Sequence, residues 1–306
     1  MKRLRPLKVG VQLPEAERLV HWPELLAMAR RVEELGYDSM WIGDHLLYRH
    51  SGEPPRAPWE AWSVLAALAA VTSRVELGPL VACTAFHNPA VIAKKAATID
   101  EISGGRLILG LGAGWHEPEY RAYGFPYDHR VGRFEEAFTI IRTLLREGEI
   151  DFAGLYYQAR DCVLTPRGPR PGGPPLLVGS YGDRMLSITM PHVDYWNAWY
   201  GDFGNDPAAL APLLAKVDAA CFAAGRQPSE VTRSVAILVG MTGSTGRAAA
   251  DPAERAIAPW KGTPEELAEH LRAFARAGIG HVQLVLDPIT IEAIEEFAPV
   301  LEILDR

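Results

Sequence analysis

Residues 75–113 read VELGPLVACTAFHNPAVIAKKAATIDEISGGRLILGLGA, and this stretch decides the fold. Val75 to Val81 is a short apolar run of strand length. Asn88-Pro89 then opens a helix, Asn88 as the cap and Pro89 in the first turn, where a missing N–H is tolerated. Ile92, Ala96 and Ile99 fall at i, i+4 and i+7 and give that helix one apolar stripe. Arg106 to Ala113 is the next strand. Strand, helix and strand in this order make a unit whose two strands run parallel.

The same alternation extends in both directions. Upstream, Leu7 to Leu13 reads as a first strand, Trp22 to Leu35 as a helix stopped by Gly36, and Tyr37 to Gly43 as a second strand. A Pro-rich loop and a helix from Trp59 to Ser73 lead into the quoted stretch. Downstream comes a helix from Arg130 to Arg146, then a small β-hairpin from Ile150 to Val163, turned at Gly154 and outside the main series. Pro175–Gly179, Val193–Ala198, Val231–Val239 and Val282–Leu286 are four further strands. The helices between and after them are Arg184–Met190, one capped by Asp206-Pro207, one opened by the capping box Thr263-Pro264-Glu265-Glu266, and Ile289–Leu304. Eight strand–helix pairs imply an α/β protein with a parallel sheet, and eight close into a (β/α)8 TIM barrel with loop insertions. An open doubly wound sheet gives the same periodicity, because periodicity does not report closure. No linker-like break interrupts the 306 residues, so a single domain over residues 1–306 is expected.

Composition narrows the function classes. Hydrophobic residues make up 48% and charged residues 23%, the balance of an ordinary globular chain with a large core. The net charge of −7 argues against gripping nucleic acid over a broad face. Three cysteines (Cys83, Cys162 and Cys221), far apart and odd in number, form neither a disulfide framework nor a zinc site. The longest nearly apolar stretch, Trp59 to Val71, holds Glu60 and is too short to span a bilayer. The basic start, Met1 to Arg5, is followed by no cleavage-like site. A cytoplasmic protein with no membrane and no nucleic-acid partner is expected.

In TIM barrels chemistry sits at the C-terminal ends of the strands. Those ends carry Asp44-His45; Thr84, Phe86 and His87; Gly114-Trp115-His116-Glu117; Gly179-Ser180-Tyr181-Gly182; and Asn197, Trp199 and Tyr200. Large aromatics beside few ionisable groups suit a flat conjugated ligand. Gly110, Gly112 and Gly114 alternate along one strand face, which either lets a planar ring approach or serves tight packing. Gly179 to Gly182 precedes a helix, as a phosphate-holding turn or an ordinary one. No metal site is expected: His116-Glu117 does not extend to the His-Glu-x-x-His spacing. His45 is the best placed ionisable group, as a proton carrier or as a structural histidine. Asp44 either orients it, binds the ligand or caps the following turn. Arg130 and Arg133 with Glu135 and Glu136 read as ion pairs on a helix surface.

Over nearly its whole length the chain resembles the luciferase-like flavin or deazaflavin oxidoreductases, a TIM-barrel family. The resemblance is carried by Trp41-Ile42-Gly43-Asp44-His45, by Val75 to Val81, by Ile102-Ser103-Gly104-Gly105-Arg106, and by Gly112-Ala113-Gly114-Trp115-His116-Glu117-Pro118-Glu119-Tyr120. The details resemble the F420-dependent branch. The resemblance implies a non-proline cis peptide at Leu80-Val81 forming a bulge behind the cofactor ring, Asp44 and His45 beside the reactive carbon, and Gly179 and Ser180 at the cofactor phosphate. Gly112, Ala113, Gly114 and Trp115, with Tyr181 and Gly182, complete the expected cofactor contacts. Ala113 stands where the FMN-binding luciferases carry a phosphate-holding arginine, which favours F420 over FMN. Trp115 replaces the acid of the sugar-phosphate dehydrogenases, leaving Glu117, two residues on, as the candidate proton donor. The expected activity is F420-dependent hydride transfer to or from a small organic substrate, by a homodimer. The alternatives are an FMN-dependent monooxygenase and a non-catalytic flavin-binding protein on the same fold. Loops around Tyr48–Trp59 and Trp199–Asp206 are expected to set the substrate.

Overall fold

The stretch 75–113 folds as its residues demand, with one interruption. In the computed structural model, which describes residues 5–49, 52–246 and 252–306, the chain clusters into two units. One unit comprises the residues up to Trp41 together with those from Gly179 onward; the other runs from Ile42 to Val178. The first four residues of the basic start, and residues 50–51 of the Tyr48–Trp59 loop, lie outside the described residues.

The first unit opens with β1 (Lys8–Gln12), α1 (Trp22–Glu34) and β2 (Ser39–Ile42, whose last residue falls in the second unit). The second unit follows with α2 (Ala61–Val71), β3 (Glu76–Pro79), β4 (Ala82–Cys83), α3 (Pro89–Ser103), β5 (Leu109–Gly112), α4 (Glu117–Tyr123) and α5 (Arg130–Glu147). It ends with β6 (Glu149–Ala153), β7 (Gln158–Val163) and β8 (Leu176–Val178). The chain then returns to the first unit with α6 (Asp183–Thr189), β9 (Tyr195–Ala198), α7 (Ala211–Ala223), β10 (Thr232–Gly240), α8 (Pro252–Arg255), α9 (Pro264–Arg276), β11 (His281–Asp287) and α10 (Ile291–Leu304).

In the first unit the strands pair in parallel in the order β2-β1-β11-β10-β9. Val9, Val11, Met40, Val235, Ile237, Val282 and Leu284 are buried along them. A polar set lies in this sheet: the Ser39 hydroxyl meets His281 Nε2 at 2.7 Å, and Asn197 donates to Ser234 Oγ and Gln283 Oε1. In the second unit β5 lies between β4 and β8, again parallel, and Leu77 bridges Leu107. The hairpin β6–β7 is antiparallel and outside that series, as expected for residues Ile150 to Val163. Glu136 on α5 fixes its turn by accepting the backbone N–H groups of Leu155, Tyr156 and Tyr157 at 2.7–2.9 Å.

The caps read from the sequence are in place. Asn88 accepts from Ala90 and Val91 N–H, and Thr263 and Glu266 form the reciprocal capping box. Three readings are corrected. The strand read as Val75–Val81 ends as β3 at Pro79, before a cis Leu80-Val81 peptide, the bond the family resemblance implies, and β4 begins beyond it at Ala82. The helix read from Trp59 starts at Ala61, because the Glu60 carboxylate caps it by accepting from Trp62 and Ser63. The charges at the start of α5 are not simple surface ion pairs: Arg130 donates to the Gly114 carbonyl, Arg133 pairs with Asp128, and Glu136 holds the hairpin.

Arg106 explains the Ser-Gly-Gly-Arg stretch physically. Its guanidinium donates to the carbonyls of Ala69, Thr72, Val75 and Ser103 and to Thr72 Oγ1, at 2.7–3.0 Å. One side chain thereby satisfies two carbonyls at the C-terminus of α2, those of Ala69 and the C-cap Thr72, and ties them to Val75 and Ser103.

Candidate active site

The site builds up from the end of β2. Asp44 follows the strand and is buried, accepting Cys83 N–H on Oδ2 at 2.9 Å. Its Oδ1 has no hydrogen-bond partner among the described residues. Burial pushes the Asp44 carboxyl up to about 7, outweighing the lowering effect of the Cys83 N–H. Around it gather His87, whose Nε2 lies 3.9 Å from Asp44 Oδ2, and Glu60. Burial lowers His87 to about 4, and Lys95 Nζ lies 3.3 Å from its Nδ1. Asp44, Glu60 and His87 each bring a ligand-type atom within 4.8 Å of the others, and the Lys95 ammonium supplies a positive charge beside them.

His45 turns the other way. Its Nδ1 lies 2.9 Å from Glu119 Oε1, and the Glu119 side chain is 1% exposed against 17% for His45. The second oxygen of Glu119 accepts Leu46 N–H at 2.9 Å and Leu47 N–H at 3.3 Å. Tyr48 packs on the His45 ring at 4.5 Å between centroids, and Trp115 stands edge-on at 5.6 Å. The loop after β2 is further fixed by α4 and its start: Tyr123 OH donates to the Leu46 carbonyl, and Arg49 N–H reaches His116 Nε2 at 3.4 Å.

Glu117, the acid expected as proton donor, points away. It pairs with Arg121 at 2.7 Å, one turn along α4, and its side chain is half exposed. The acid that meets His45 is Glu119, which sequence reasoning missed. The usable signal was helical: Pro118 in a first turn and a Glu117/Arg121 pair at i, i+4 put Glu119 on another face.

The remaining residues of the quoted β5 segment are explained by packing. A Cβ on Gly112 would press on Val81 Cγ2 at 2.6 Å, and one on Gly110 would meet the Pro79 carbonyl and Val81. The glycines make room for the bulge at Leu80-Val81, so the packing reading holds for this face. Ala113 and Gly114 are held through their carbonyls, by Tyr120 OH at 2.7 Å and Arg130 at 2.7 Å. Gly114 has φ +72°, and a Cβ there would collide with Tyr120 OH. Tyr120 OH also meets Cys83 Sγ at 3.0 Å, tying the end of β4 to α4. Leu80, Val81, Gly112, Ala113, Gly114 and Trp115 thus share the second unit with Asp44 and His45. Gly179, Ser180, Tyr181 and Gly182 belong to the first unit, as the turn before α6, where Trp196 Nε1 donates to the Ser180 carbonyl at 2.8 Å.

No helix among the described residues is long and apolar enough to cross a membrane. A solved F420-dependent secondary alcohol dehydrogenase, in complex with an F420–acetone adduct, matches this chain with a TM-score of 0.81 at 21% identity, covering 100% of both chains. The monooxygenase RslO1 from Streptomyces bottropensis matches with a TM-score of 0.75 at 22% identity, over 98% of each chain. These likenesses show the fold, the α/β TIM-barrel type expected from the alternation of elements. The pyrimidine monooxygenase RutA of Cronobacter turicensis is 37% identical over 172 residues, 55% of this chain and 44% of that protein. The chain therefore spans about half the length of the curated relatives it matches. The model of the luciferase-like monooxygenase family matches residues 6–260, and with these elements in place the chain belongs to that family.

Proposed function

We propose that the protein is an oxidoreductase transferring hydride between F420 and a small organic molecule. The observation that carries this reading is the His45 imidazole, held at Nδ1 by a buried carboxylate and flanked by Tyr48 and Trp115. Such an arrangement suits proton delivery beside a flat ring. The residues present fit a planar conjugated cofactor: Trp115 is half exposed, and the buried Asp44 Oδ1 has hydrogen-bonding capacity to spare.

A deazaflavin, when bound, supplies two-electron hydride chemistry. His45 gives or takes the proton that balances the charge left on the substrate. Asp44, half neutral near pH 7, offers both an O–H donor and an acceptor oxygen to the ligand. Leu80, Val81 and the segment Gly112 to Trp115 are the residues that would hold the ring, and Gly179 to Gly182 those that would hold phosphate. Ala113 supports F420 over FMN through the family resemblance, which puts a phosphate-holding arginine of the FMN-binding luciferases at this position. A second reading, FMN-dependent monooxygenation, is favoured by the identity with pyrimidine monooxygenase RutA.

Fluorescence titration of the apo-protein with F420 and with FMN separates the two. Tighter F420 binding, with turnover of reduced F420 on a panel of enones, imines and ketones, is expected. Micromolar FMN binding without detectable F420 binding replaces the first reading by the second.

A further inference from the structure

We infer that Glu119 is the positioning residue of the site: it fixes the proton of neutral His45 on Nδ1 and thereby makes Nε2 the working nitrogen. The inference rests on the proposed role of His45 only for its catalytic consequence; the tautomer rests on the 2.9 Å contact with Glu119 acting as its acceptor.

The two oxygens of Glu119 serve different groups. Oε2 accepts Leu46 and Leu47 N–H, backbone donors that cannot reverse their role. Oε1 faces His45 Nδ1 at 2.9 Å. An ionised carboxylate only accepts, so the imidazole nitrogen facing it carries the proton. The α4 turn that delivers Glu119 also buries it, which keeps water from competing for Oε1. Among the described residues, the groups facing His45 include Asp44 from the end of its own strand, Tyr48 from the following loop, Trp115 from the segment after β5, and Glu119 from α4. His116, beside Tyr48 and Trp115, is the next titratable ring. Of the two carboxylates beside His45, Glu119 is the one within hydrogen-bond distance of its Nδ1.

Glu119→Gln tests this with little change of shape. The single amide oxygen of Gln is claimed by Leu46 and Leu47 N–H, so its NH2 group turns to His45 Nδ1. A donor there requires a bare Nδ1, and neutral His45 switches to the Nε2–H form. The loop bonds survive while the tautomer inverts.

The readout is 15N NMR of histidine-labelled protein across pH, without cofactor, with His45 assigned by comparison with His45→Gln. Wild type is expected to show neutral His45 protonated on Nδ1. Glu119→Gln is expected to show the Nε2–H form, the amide having replaced an acceptor by a donor at Nδ1. In steady-state turnover with F420 the variant should lose about 10²-fold or more in kcat, with a shifted pH profile, as when a wrong tautomer is imposed on a catalytic histidine. Glu119→Asp keeps the charge and should retain the Nδ1–H form. A wild-type His45 that is Nε2–H overturns the inference even if the variants fail to fold, and so does an unchanged tautomer in folded Glu119→Gln. An inverted tautomer with unchanged turnover upholds the hold of Glu119 on His45 and overturns the proton role of His45 instead.

Discussion

Replacing Asp44 by asparagine should convert a pH-dependent stability into a pH-independent one at that position. Asp44 is 3% exposed, and burial raises its carboxyl from 3.8 to about 7. Below pH 4 both folded and unfolded chains hold the proton. Between pH 4 and 7 the unfolded chain releases it and the folded one does not, so stability falls as pH rises, by about 1.4 kcal/mol per pH unit. Above pH 7 the loss is complete, at about 4 kcal/mol for a shift of roughly three units. The amide introduced by Asp44→Asn cannot ionise, keeps an acceptor oxygen for Cys83 N–H, and lacks this slope. The stability difference between Asp44→Asn and wild type should therefore grow in favour of the variant by about 2–3 kcal/mol from pH 5 to pH 8. Denaturant unfolding at several pH values measures it. Taking the change of the difference with pH removes the constant cost of packing an amide there, and His87, lowered to about 4, is present in both proteins. His87 itself acts in the opposite sense: its neutral burial adds stability above about pH 6.5, which is lost as pH falls toward 4. A difference that stays flat from pH 5 to 8 would mean that Asp44 ionises like an exposed carboxylate, and the desolvation argument would fail.

Gly114→Ala should destabilise the protein by about 3 kcal/mol or more, because a left-handed backbone and a collision with Tyr120 OH act together; an unchanged melting temperature would refute this. Arg106→Ala should cost roughly 3 kcal/mol or more by stranding the carbonyls of Ala69, Thr72 and Val75, and Arg106→Lys should recover only part of it. Full recovery by lysine in a thermal melt would show that charge, not the forked geometry, does the holding.

Much of this protein is written in local patterns. The parallel α/β alternation, the caps at Asn88 and Thr263, the separate hairpin and the placing of Asp44 and His45 after β2 depend on residues within a few positions of each other. Such neighbours act on backbone dihedrals and on which face is apolar, and both are legible in a string. What the tertiary structure decided involves partners far apart in sequence. Glu119 meets His45 across 74 residues, and the short helix α4 turns it inward while Glu117 faces Arg121. The alternating glycines of β5 left two readings open, and the Val81 side chain filling their face chose packing. Nor does the string say that Asp44 holds its proton to about 7. That depends on how completely α2, β4 and α3 exclude water from one carboxylate, and burial is a property of the assembled layers rather than of any segment.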